Sequence, residues 1–325
     1  MSFKAQFGTA EESTWGTGVT VDRFHEILAG ETLQRRQSAI ATQGLRPGTR
    51  HQRGASRVLT RNDAGGSVQF EVMDQGFGRF FKHMLGAVVT TQPDAANSPT
   101  VYAHTFTPGD LSGKSLTLQK GIEKTDGTVQ AFTYHGAKIP SWSFSIDNDG
   151  ILQLDLEFDA KEEVTSTALA VWSVPTLVPF HFAQGTLKVD ASTIATVSAA
   201  TMAGQNSLKT DRYFLGQSGT KLEQRENEYR GASGELTAEF ENLTDFYDRF
   251  KADTSAVLEL QFVGALISDN EYTQLTITHK DVRFTGETPQ IGGPDVPEVT
   301  VPWEAFEDAS GDSVEIVLQN TETTP

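Results

Sequence analysis

A chain of 325 residues, 37% hydrophobic and 21% charged, is long enough for two domains with real cores and has the composition of an ordinary soluble protein. Cysteine is absent, which excludes a disulfide framework, a thiolate metal site and a cysteine nucleophile. The net charge of −17 is uneven, −3 over residues 1–165 and −14 over the rest, and so acidic a surface repels phosphate backbones and argues against a nucleic-acid binder.

No apolar run has the length of a membrane span, and the N-terminus MSFKAQFGTAEESTWG lacks a signal-peptide core, so the expected product is soluble and cytoplasmic. Residues 1–33 are rich in small residues around Trp15 and read as an extended arm, with a short helical turn over 23–28. Residues 32–62 then carry Arg35, Arg36, Arg46, Arg50, Arg53, Arg57 and Arg61 with no acidic residue among them. A solvated loop explains this, and so does a docking surface for an acidic partner, where complementary charge sets register. Aromatics that would stack bases are missing from the stretch.

The run GGSVQFEVMDQGFGRFFK from Gly65 reads as a strand entering a short amphipathic helix. Val68, Phe70 and Val72 alternate, and Phe77, Phe80, Phe81 and Met84 recur at helical spacing, with Asp74 as the expected N-cap. From Leu116 onward nearly everything reads as strand. The clearest hairpin pairs Trp142, Phe144 and Ile146 with Leu152, Leu154, Leu156 and Phe158 across Asp147–Gly150. Further strands are expected over 180–189, 220–229, 235–240, 257–263, 300–303 and 314–318, with a helix between Leu243 and Phe250 whose N-cap is Asn242.

The strand–helix unit is echoed by GELTAEFENLTDFYDRFK from Gly234. Gly66 falls on Gly234, Val68 on Leu236, Phe81 on Phe250 and, later, Leu116 on Leu258, His135 on His279 and Phe158 on Trp303. The separation drops from 168 to 142–145 residues, which places about 26 extra residues in the first copy, at 86–113. The expected organisation is an arm (1–33), a first β domain (34–165), a linker (166–178), a second β domain (179–306) and an acidic tail (307–325). The expected class is mainly β, two tandem sandwich or barrel domains with one short helix each.

Chemical motifs fail on inspection. Gly109–Ser115 has one residue too few between its glycines for a phosphate loop and precedes a strand rather than a helix. Asp147–Gly150 would need a glutamate where Leu156 stands to be a calcium loop. No histidine pair has metal-ligand spacing, and no Gly-x-Ser-x-Gly elbow is present. The expectation is no catalytic residue, no metal and no cofactor. A carbohydrate-binding or adhesin module offering Trp142, Trp172 or Trp303 stays open as an alternative.

The opening pattern Gly8–Thr17 followed by Phe24–Leu28, with the strand–helix unit and its echo, resembles the tail tube proteins of long-tailed, non-contractile bacteriophages. That resemblance implies a virion protein, assembled in the host cytoplasm, whose rings stack into a hollow tail tube for DNA ejection. It implies a ring of three chains with pseudo-sixfold symmetry where each chain holds two domains, or of six where each holds one. The further partners it implies are the tail terminator, distal tail and tape-measure proteins, with DNA passing without sequence-specific binding and no membrane contact. Phe3, Trp15, Arg35, Arg36, Arg46, Arg50 and Arg53 are the expected inter-subunit residues. Glu223, Glu226, Glu228, Glu235, Glu239 and Glu241 are the expected acidic lining of the bore.

Overall fold

The structure, a computed structural model, describes residues 4–286, 288 and 296–325. Its first half runs β1 (Gln6–Glu12), β2 (Arg23–His25), β3 (Gln34–Ala41), β4 (Arg57–Glu71), α1 (Gly78–Leu85), β5 (Gly86–Thr91), β6 (Tyr102–Pro108), β7 (Ser115–Glu123), β8 (Val129–Ala137), β9 (Ser141–Ile146), β10 (Gln153–Ala160) and β11 (Glu162–Val164). The second half runs β12 (Gly185–Val189), β13 (Ser192–Thr193), β14 (Val197–Gln205), β15 (Leu208–Lys209), β16 (Arg225–Glu226), β17 (Gly231–Glu239), α2 (Tyr247–Ala252), β18 (Ala256–Ser268), β19 (Glu271–Phe284), β20 (Glu298–Phe306) and β21 (Val314–Asn320). The mainly β class stands, with two short α-helices among the described residues.

A five-stranded sheet has the order β11-β8-β7-β1-β2. A larger sheet runs β13-β12-β18-β19-β20-β17-β14-β9-β10-β4-β3, and β21, β6 and β5 extend it from β19. Pairings in the first half recur in the second: β1 with β2 and β7, as β12 with β13 and β18; β7 with β8, as β18 with β19. The register recurs too. Val68 faces Leu156 and Gly66 faces Phe158 across β4 and β10, while Leu236 faces Val301 and Gly234 faces Trp303 across β17 and β20. His135 opposes Glu162 on β11, and His279 opposes Val314 on β21.

One hydrophobic cluster runs through both halves, from Phe7 to Leu318. Its densest part surrounds α1, where Phe70, Phe77, Phe80 and Phe81 meet His25, Phe106 and Phe144 at ring-centroid distances of 4.5–6.4 Å. Burying such rings contributes about 2–3 kcal/mol each before entropy is set against it. Trp142 and Trp303 lie in this core, 4% and 1% exposed, so neither offers a stacking platform.

Several expectations are corrected. The stretch read as a loose arm carries β1, an interior strand between β2 and β7, with Phe7, Gly8, Thr9 and Ala10 buried. Gly8 hides the alternation, and it must be glycine: a Cβ there would lie 2.8 Å from Val21 and 3.0 Å from Phe24. Residues 23–25 form β2 instead of a helical turn. The N-cap positions are Phe77 and Phe246, without side-chain caps, so Asp74 does not cap α1; Asn242 Oδ1 accepts from the Thr244 and Asp245 amides at 2.9 and 3.0 Å, capping the turn that leads into α2 and not the helix itself. The Asp74 carboxylate instead accepts from the Val178 amide at 3.0 Å. Of 220–229 only β16 is strand. The extra residues 86–113 form the β5–β6 hairpin, and the acidic tail holds β21, an interior strand between β19 and β6.

Candidate lumen face and assembly surfaces

Eight neighbouring strands of the larger sheet, β19-β20-β17-β14-β9-β10-β4-β3, form a continuous wall. Alternation sends Val68, Phe70, Leu154, Leu156, Trp142, Phe144, Met202, Leu236, Val301 and Trp303 into the core. The opposite face is therefore polar on sequence grounds. It shows Gln69 and Glu71 on β4, Gln153, Asp155 and Glu157 on β10, and Ser141, Ser143 and Ser145 on β9. It continues through Thr201 on β14, Glu235, Thr237 and Glu239 on β17, and Glu298, Thr300 and Glu304 on β20. Seven of these are acidic and none is lysine or arginine; the wall's two end strands add Arg283 on β19, opposite Glu304, and Arg36 on β3, which lies 3.9 Å from Asp159.

Carboxylates on one face raise each other's proton affinity. The Asp155 carboxyl is pushed above its ordinary value, first by partial burial and then by Glu157 on the same strand. Ser141 Oγ donates to Glu157 at 2.9 Å. An open groove of about 1050 Å³ crosses this face, lined by Ser141, Ser143, Asp155, Glu157, Ser233 and Glu304 among others.

Of the six glutamates expected to line a bore, Glu235 and Glu239 stand on this face, exposed. Glu223 does not: its Oε1 accepts from Lys138 Nζ at 2.7 Å, and its other oxygen lies 3.0 Å from Arg225. Partial burial pushes its carboxyl up, but the hydrogen bonds from Lys138 and the Gly113 amide outweigh that and hold it below its ordinary value. Glu226 pairs with Arg230, and Glu228 and Glu241 lie exposed outside the wall's strands. The same face also carries Glu71, Asp155, Glu157, Glu298 and Glu304, which were not among the six expected glutamates. Alternation about the core residues in their own strands was the signal that could have found them.

The arginines gather on the outer part of the β3–β4 hairpin, beyond the residues of β4 that pair with β10. β3 is an edge strand with almost every residue exposed, and Arg46, Arg50 and Arg53 lie exposed in the connection to β4. Arg35 Nε donates to Asn62 at 2.7 Å, and Arg36 lies 3.9 Å from Asp159. Large apolar side chains stand out beside them: Ile40, Leu45, Val58 and Leu59, each at least half exposed. Trp15 is engaged within the chain, its Nε1 donating to Gln224 at 3.0 Å and its ring 5.5 Å from Lys161 Nζ. Phe3 lies outside the described residues.

The 206–230 segment, between β14 and β17, crosses onto the first half and seals the join. Asn206 Nδ2 donates to the carbonyls of Met84 and Ile139, both at 2.9 Å. Arg230 donates to Leu85 O at 2.9 Å, so two carbonyls at the C-terminal end of α1 gain partners. Lys221 Nζ, fully buried, donates to both oxygens of Asp159 at 2.7 Å.

A sequence model described as phage tail tube protein matches residues 2–305. The chain belongs to the phage tail tube protein family. None of the curated proteins compared with it matches. As a tail tube protein it is a structural, non-enzymatic component of the virion tail that polymerises with itself into a tube. Among the described residues no group of three His, Cys, Asp or Glu side chains is placed to hold a metal ion, and no helix is long and apolar enough to cross a membrane. The tail tube fold thus presents three surfaces that bear on assembly: an acidic wall, an arginine-bearing edge hairpin and an internal seam.

Proposed function

We propose that this tail tube protein is a tandem duplication and that three chains close a ring with pseudo-sixfold symmetry. The observation that carries this reading is the recurring register: Gly66 against Phe158 beside Val68 against Leu156, and Gly234 against Trp303 beside Leu236 against Val301. On this reading the first repeat begins at β1 and the second at β12, the boundary falling in the irregular stretch 165–178.

Each chain would give eight strands to a common barrel. Three chains give roughly 24 strands at about 4.8 Å spacing, a circumference near 115 Å and a bore about 37 Å across before tilt widens it. The acidic wall face is the side turned to the bore. Its carboxylates keep DNA from adhering during ejection, since phosphates are repelled along the whole passage. Rings stack head to tail because a heterologous contact propagates. Tail terminator and distal tail proteins cap the ends, and a tape-measure protein occupies the bore before ejection.

Negative-stain electron microscopy of the purified protein tests the reading. Threefold rings with six lobes are expected in class averages. Sixfold rings with one chain per lobe would remove the duplication from the argument.

A further inference from the structure

The seam inside one chain is a template for the contact between chains, given the duplication proposed above. Matching Gly66 to Gly234 places Gln34 on Ala203, because Gln34 opposes Gly65 and Ala203 opposes Ser233. Gln37 then falls on Asn206 and Asn62 on Arg230. These are the two positions that, in the second half, reach the C-terminal end of α1. Matching Phe81 to Phe250 places that end of α1 on residues 252–254 at the end of α2. Matching Phe158 to Trp303 places Asp159, the carboxylate held by Lys221, on Glu304.

The two helices differ as this template requires. Seven of the eight residues of α1 are buried, whereas no residue of α2 is. Phe250 is 36% and Leu243 50% exposed, and Glu304 and Phe306 on β20 are exposed as well. Exposed Glu239, Glu241, Asp248 and Asp253 lie around the helix, Arg249 is paired with Asp190, Lys251 is exposed, and at the C-terminal end Arg283 of the same chain donates to Asp253 O. What is missing over α2 is the counterpart of the 206–230 segment. The remaining element in that topological place is the β3–β4 hairpin. In its own chain the 206–230 segment holds it only near residues 61–63, where the Asn62 amide donates to Gly219 O at 3.0 Å and Tyr213 meets Arg61 and Asp63, while its outer part carries exposed arginines and exposed Ile40, Leu45, Val58 and Leu59.

We propose that the β3–β4 hairpin of one copy lies across the α2 end of the next copy in the ring, with Gln37 at the C-terminal end of α2 and an arginine of the hairpin on Glu304. Charge and apolar surface both match: an arginine-bearing hairpin with four exposed aliphatic side chains meets a region that exposes Glu239, Glu241, Asp248 and Asp253 together with Leu243 and Phe250. The contact also occupies the edge of β3, which as an open edge invites unregulated pairing.

The chain has no cysteine, so engineered pairs report only the chosen contact. Gln37→Cys and Ala252→Cys, both at exposed positions, are combined in one chain, assembled, and treated with a short bifunctional maleimide. Denaturing gels are expected to show dimers and trimers with no larger product. Mixing the two single variants is expected to give dimers only. Tubes that assemble normally yet yield monomers overturn this contact and leave the tail tube reading standing. Cross-linking within one chain, with none between mixed single variants, also overturns it. A second readout uses Glu304→Lys, expected to slow ring formation roughly tenfold while leaving the subunit's thermal midpoint unchanged; unchanged ring formation counts against the arginine–Glu304 pair.

Discussion

Lys221→Met tests whether the 206–230 segment is bound to the first half by its buried ion pair. Lys221 is fully buried, its Nζ bonds both oxygens of Asp159 at 2.7 Å, and Gln224 Nε2 donates to the same carboxylate at 2.7 Å. Removing one partner of a buried pair leaves the other charge uncompensated and costs about 3–5 kcal/mol. Burial already pushes the Asp159 carboxyl above its ordinary value, against the opposing pull of Lys221 and Gln224. Without Lys221 burial acts with less opposition, so the native state holds that proton more tightly than the unfolded chain does. Ionising the group then costs stability as pH rises from the unfolded carboxylate range through the folded value. The variant should therefore lose more at pH 8 than at pH 5. Denaturant midpoints on unassembled subunits at both pH values provide the measurement. Lys221→Met with Asp159→Leu should recover most of the loss, because an apolar pair of similar volume removes the stranded charge. A single variant within about 1 kcal/mol of the parent, or a double variant no better than the single, refutes the reasoning.

Three further outcomes are expected. His279 is buried against Trp303 with both ring nitrogens unpartnered, and burial pushes its pKa down to about 3. The unfolded imidazole protonates near 6.5, so this contribution is complete above that value and is lost as pH falls toward 3. His279→Phe should remove up to one proton from the acid slope measured by urea unfolding, and an unchanged slope excludes His279 as its source. Gly234→Ala would set a Cβ 2.0 Å from Thr201 O and 2.5 Å from the Trp303 ring, and should cost about 1–3 kcal/mol, whereas Gly231→Ala, with nothing within 4 Å, should be near neutral in thermal melts. Deleting residues 2–16 removes an interior strand, so far-ultraviolet circular dichroism of the product should show loss of the native fold; a folded product would restore the reading of this stretch as an arm.

What could be read from the chain alone was whatever repeats at period two among large apolar side chains. Trp142, Phe144 and Ile146 against Leu152, Leu154, Leu156 and Phe158 gave their hairpin because each strand carries its own alternation and an Asp-Asn-Asp-Gly turn. β1 could not be read that way: Gly8 is small because Val21 and Phe24 pack against it, and Thr9 is polar yet buried because its hydroxyl meets His25 Nε2, and both are properties of the partner elements. The acidic face was legible in the same alternation as the core, since Glu235 flanks Leu236 and Asp155 lies between Leu154 and Leu156. Charge density drew attention to Glu223 and Glu226 instead, and the fold spends both on cations within the chain.

The insertion and the tail acquire their meaning together. β6 of the first half pairs with β21 of the second, Phe106 opposite Ile316 and His104 opposite Leu318, so the extra residues carry the sheet of one half across to the other. The stretch between α2 and β18 is too short to hold such a hairpin. The two halves therefore differ where they must: α1 is enclosed by strands, the 206–230 segment and the β5–β6 hairpin, whereas α2 keeps an uncovered face. In the ring proposed above, a chain whose own segments satisfy one helix and leave its counterpart open has one join made internally and one left for a neighbour. That asymmetry is what a ring closed by repeated copies of a two-part subunit needs.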